Sequence, residues 1–176
     1  ANKHSEALEY FSDASEICPE EGKYRYNMGI AFKNTKRNEE ALRSFFEALE
    51  LGYGHNDCYC AIGVILRDKA EYELAESYFN NALQQDPECT DAIIERATTN
   101  FFSGQKDKAL DDVNFLISRN PDDCKFYLLR AILYNSFGMK DELKEELEKA
   151  SEVLENMKKK TKLSRKQKPQ TFETAH

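Results

Sequence analysis

The chain has 176 residues, 40% hydrophobic and 32% charged, and no run of 18 apolar residues, which excludes a membrane-spanning helix. Its net charge of −7 is unevenly spread: residues 158–176 hold seven Lys or Arg against one Glu, leaving 18 basic and 31 acidic side chains in residues 1–157, a body near −13. Such a body excludes phosphate-backbone binding through itself, because nucleic-acid affinity rests on Lys and Arg neutralising phosphates.

Apolar periodicity near 3.6 predicts helices throughout and no strand. In chain order they are 5–17, then 23–34 with 39–51, 57–68 with 71–84, 90–102 with 106–117, and 124–137 with 140 to about 160. Short turns join each pair, and Gly138 breaks the last. The first helix has no preceding partner, which suggests a fragment of a longer protein. Beyond Leu154 the apolar stripe fades into Lys158, Lys159, Lys160 and Lys162, the pattern of a solvated cap. Residues 164–176 bury too little apolar surface to offset their ordering entropy and are expected to be mobile.

A 34-residue echo runs through these helices. Ala7, Ala41, Ala75 and Ala109 fall one period apart, as do Phe11, Phe45, Phe79 and Val113. So do Ala14, Ala48, Ala82, Leu116 and Ala150, and also Gly29, Gly63, Ala97 and Ala131. Pro19, Pro87 and Pro121 form a further row, with Tyr53 standing in once. The small Gly and Ala residues of each first helix let it lie close to the second, where Ala41, Ala75 and Ala109 sit. The aromatic row is expected to fill the seam between successive hairpins.

These rows resemble the tetratricopeptide repeat (TPR) family over roughly residues 5–157. The resemblance implies an all-α, right-handed superhelical array of antiparallel helix hairpins, an α-solenoid. The expected division is the second helix of a truncated unit at 1–21, units at 22–55, 56–89 and 90–123, a divergent unit with capping helix at 124–157, and a basic mobile tail at 158–176. Leu143 and Leu147 replace the usual Ala and Phe in the divergent unit.

In this family the first helices line a concave groove. Carried over position by position, the groove shows Tyr26, Asn27, Ile30 and Lys33, then Asp57, Cys60, Ala61, Val64 and Arg67. Asp91, Ile94, Glu95, Phe101 and Phe102 follow, then Leu128 and Ile132 with Leu129. Apolar groove residues suit an amphipathic helix or an extended peptide with apolar anchors. Phe101, Phe102, Leu128 and Leu129 equally suit packing between repeats, and exposure of Phe102 would favour binding. The family's clamp for acidic chaperone tails needs Lys, Asn and Arg at set positions. This chain offers Tyr26, Ile30, Ala61, Asp91 and Glu95 in one frame and Cys60, Val64, Glu95, Lys125 and Leu129 in the next. Neither frame makes the clamp, and Asp91 and Glu95 repel an acidic tail.

No catalytic constellation stands out. His4, His55 and His176 have no nucleophile arranged beside them, no glycine-rich phosphate loop follows a strand, and no cofactor is called for. His55, Asp57, Cys58 and Cys60 lie close in sequence, but two cysteines two apart on a helix point in different directions, which argues against a metal site. Either thiol at that helix start is a candidate redox-sensitive thiolate, against the plainer reading of a small buried residue. Five cysteines without CxxC spacing read as free thiols in a reducing, cytoplasmic setting, and the basic tail is compatible with nuclear import.

The sequence therefore reads as a non-catalytic protein-interaction module, scaffold or adaptor, with a peptide or partner helix in its groove. The alternatives are a regulatory or substrate-recruiting segment of a multidomain enzyme and a self-association module.

Overall fold

The computed structural model describes residues 2–166, and among them there are nine helices and no strand. A first body extends to residue 112 and a second begins at residue 113.

In the first body α1 (Asn2–Ile17) packs on α2 (Gly22–Asn34), which forms a hairpin with α3 (Asn38–Glu50). Next come α4 (His55–Asp68) paired with α5 (Tyr72–Gln85), and α6 (Thr90–Phe102) against α5. The helix α7 (Lys106–Arg119) contains the boundary between the bodies, and in the second body α8 (Cys124–Ser136) pairs with α9 (Lys140–Lys166).

Each second helix carries its apolar residues on one stripe. Ala41, Phe45 and Ala48 of α3, and Ala75, Phe79 and Ala82 of α5, are spaced by four and three residues and are completely buried. Ala41, Phe45, Ala48, Ala75 and Phe79 make one continuous core with Cys58, Ile62 and Ile65 of α4.

The turn inside each hairpin repeats as faithfully as the helices. Lys36, Ala70, Gly104 and Gly138, one period apart, all have left-handed φ between 61° and 78°. The next backbone N–H in each turn, that of Arg37, Glu71, Gln105 and Met139, donates to Phe32, Leu66, Asn100 and Tyr134 at 2.8–2.9 Å. This closes the helix end by the six-to-one bond of a Schellman turn.

Two expectations are corrected. The partners of the small row are the aromatic rings rather than the alanines: a Cβ on Gly29 would stand 2.6 Å from the Phe45 ring, and one on Gly63 would stand 2.7 Å from the Phe79 ring. Phe45 and Phe79 therefore fill the ring-sized space that Gly29 and Gly63 leave inside their own hairpins, and they also belong to the core that α3, α4 and α5 share. The last helix also continues to Lys166 rather than ending near Lys160, so 158–166 of the basic tail is helical. Nothing in this stretch breaks a helix, and Lys160 is held by Asp122 at 2.6 Å. Residues 167–176, where mobility is expected, lie outside the described residues.

The period also carries a polar motif. In the first body Arg96 donates to both oxygens of Asp112 (3.1 and 2.6 Å) and to Asn80 (2.6 Å). In the second body Arg130 does the same to Glu146 (3.1 and 2.9 Å) and Asn114 (2.5 Å). One repeat earlier the same three positions are Phe46, Ile62 and Tyr78, and the rings of Phe46 and Tyr78 lie 6.3 Å apart.

Candidate peptide-binding face

The helices α2, α4 and α6 enclose a concave cavity of about 280 Å³ in the first body. Its apolar lining comes from Ile30, Ala61, Val64 and Ile94, with Tyr26 and Cys60 beside them. These residues meet because they recur every three or four positions on one face of each first helix. The polar lining is Lys33, Asp57, Asp91 and Glu95, together with Asn56 and Cys89.

Glu95 is engaged, accepting from Arg67, whose guanidinium also reaches Asp68 at 3.3 Å. Asp57 and Asp91 have no ion-pair partner among the described residues. The cavity thus presents two unmatched carboxylates against a single Lys33 ammonium.

Burial, and then the Asp57 carboxylate, push the Tyr26 phenol above its ordinary range. The Cys60 thiol is pushed up to about 12, by burial first and then by Cys89 and Asp57, and it donates to Asn56 Oδ1 at 3.5 Å. Cys58 is likewise pushed up to about 12, by burial and then Asp57. Both thiols are therefore protonated at neutral pH, which overturns the idea of a thiolate at the start of α4: the cost of desolvating the charge exceeds what the helix dipole returns. All five cysteines are free. Among the described residues no group of three or more His, Cys, Asp or Glu is arranged to hold a metal ion. No helix among them is long and apolar enough to cross a membrane.

Of the residues expected in the groove, Tyr26, Ile30, Lys33, Asp57, Cys60, Ala61, Val64, Asp91, Ile94 and Glu95 come together at this cavity. Arg67 joins it through Glu95, whereas Asn27, Phe101 and Phe102 are not part of its lining. Phe102 is 56% exposed and lies 5.3 Å, ring to ring, from the half-buried Phe101. In the second body Leu128 (46% exposed) and Ile132 (60%) stand one turn apart on α8. Asn56 and Cys89 were not assigned to the groove from the sequence, since they lie one and two residues, respectively, before Asp57 and Asp91, the first positions of α4 and α6 that the family pattern marks as facing it.

With this geometry in place, similarity to known proteins is informative. Residues 57–89 match the family model described as tetratricopeptide repeat. The chain has the all-α solenoid fold of TPR proteins: it superposes on MamA with a TM-score of 0.76 at 19% identity, covering 90% of this chain and 92% of that one. It also superposes on YrrB, described as a TPR protein with an unusual peptide-binding site, with a TM-score of 0.69 at 21% identity, covering 86% and 78%. Among curated proteins it is 21% identical over 136 residues to BBSome complex member BBS4 of Bos taurus. That alignment takes in 77% of this chain but 26% of the relative, so the chain spans about a quarter of that protein's length.

Proposed function

We propose that the chain is a protein-interaction module whose α2–α4–α6 cavity receives a segment of a protein partner, with apolar side chains on Ile30, Val64 and Ile94 and a basic side chain between Asp57 and Asp91. The observation that carries this reading is the pairing of an apolar floor with two carboxylates that the chain itself leaves unmatched. Burial of the partner's apolar side chains supplies the driving force, at about 25 cal/mol per Å². The charges select against acidic segments. The peptide-binding description of YrrB and the membership of BBS4 in a complex lend support by analogy of fold.

Selection of peptides from a random displayed library on the full chain tests it. Enriched sequences are expected to combine apolar residues with Lys or Arg. Their affinity should fall about tenfold on Asp57→Asn with Asp91→Asn, about 1.4 kcal/mol, and be lost on Val64→Glu. Enrichment of acidic sequences, or binding indifferent to these substitutions, contradicts it.

A further inference from the structure

A second cavity, of about 240 Å³, lies between α5, α6 and α7 in the first body. Its lining is entirely polar: Glu76, Arg96, Asn100, Lys108, Asp111 and Asp112. Both cations are already matched. Lys108 Nζ donates to the two Glu76 oxygens at 2.8 and 3.2 Å, and Arg96 is bidentate to Asp112. Acceptors are left over. Asn100 is 1% exposed and its Oδ1 has no hydrogen-bond partner, and Asp111 has no ion-pair partner among the described residues.

Asn100 is out of keeping with its own row. One period to either side stand Leu66, which is buried, and Tyr134, and a further period back stands Phe32. An aliphatic residue would serve the core at this position, as Leu66 does in the preceding hairpin, and an unmatched buried carbonyl costs stability. A residue that breaks a local rule at a cost, beside a cavity, is the signature of a binding role. A single water needs about 10–15 Å³ of such space, so this cavity admits something larger.

We propose that this cavity binds a primary ammonium or guanidinium group, which donates to Asn100 Oδ1 and to the Asp111 carboxylate. The group is either the side chain of a partner's lysine or arginine or that of a free polyamine, since both present the same donors and charge. The site shares no residue with the α2–α4–α6 cavity and stands independently of it.

The test is titration of the isotopically labelled full chain with Nα-acetyl-lysine methylamide, Nα-acetyl-arginine methylamide and spermidine, following the backbone amides of residues 100 and 111, which both variants keep. A saturable shift is expected, weakened about tenfold by Asp111→Asn and abolished by Asn100→Leu, a variant that copies Leu66 and should melt no lower than the parent. Saturation by an amino-acid amide assigns a partner side chain. Saturation by spermidine alone assigns a free polyamine. Absence of a saturable shift with all three probes, or a shift that survives both substitutions, overturns the proposal. Should Asn100→Leu fail to fold, the exposed Asp111→Asn decides by itself.

Discussion

The ring of Phe79 occupies the place where a side chain on Gly63 would be: a Cβ built on that glycine stands 2.7 Å from Phe79 Cζ and 2.8 Å from Cε1. Phe79 is fully buried, so the ring has no free space into which to withdraw. Gly63→Ala is therefore expected to destabilise the chain by about 1–3 kcal/mol despite alanine's better helix propensity. Combining it with Phe79→Leu should recover part of the loss. Urea unfolding of the two variants checks this, and additive losses would contradict the packing relationship.

The left-handed turn position is glycine in two hairpins and Lys36 or Ala70 in the others. A left-handed L-residue costs roughly 1–2 kcal/mol, offset in part because glycine gives the unfolded chain more entropy. Ala70→Gly should stabilise by about 0.5 kcal/mol, whereas Gly104→Ala, with no contact to gain, should destabilise by about 1 kcal/mol. Melting temperatures moving in opposite directions are the expected readout.

Glu146 is 2% exposed and held by Arg130. Removing the guanidinium alone, as Arg130→Met, leaves a buried carboxylate unmatched and should cost about 3–5 kcal/mol. Transplanting the apolar set from two periods earlier, as Asn114→Phe with Arg130→Ile and Glu146→Tyr, should restore most of it. Failure of the triple variant to exceed the single one would show that the polar motif is required for packing itself.

The raised Cys58 and Cys60 thiols predict a pH dependence of stability. Their folded-state values lie above the ordinary thiol value of 9.0, so above pH 9 the unfolded chain binds fewer protons than the native one. Their contribution is fully present below pH 9 and is lost as the pH rises from 9 toward 12. Cys58→Ala with Cys60→Ala should flatten that part of the stability profile. Alkylation at pH 8 should label exposed Cys18 well before either of these thiols.

The hairpins were legible because the spacing of Ala41, Ala75 and Ala109, and of Gly29 and Gly63, is forced by close helix approach, and such constraints repeat with the chain. The partner of each glycine was not legible, since a row of rings reads the same whether it fills its own hairpin or the next seam. The polar motif of Arg96 and Arg130 escaped for a related reason. Its register is strict, but its residues change from Ile62 and Tyr78 to charged ones, so a search for recurring apolar residues passes over it. Ten of the twelve residues that line the concave cavity, from Tyr26 to Glu95, followed from the family's register alone. Asn100 was hidden because its burial, and not its identity, is what marks it.

The claim that the α2–α4–α6 cavity receives a partner segment is tested most directly by mapping a library-selected peptide onto the labelled full chain by NMR shifts. Saturable changes clustered at Ile30, Val64 and Ile94, with Asp57 and Asp91 beside them, are the predicted result. Changes confined to α3 and α5, or to α8 and α9, would contradict it.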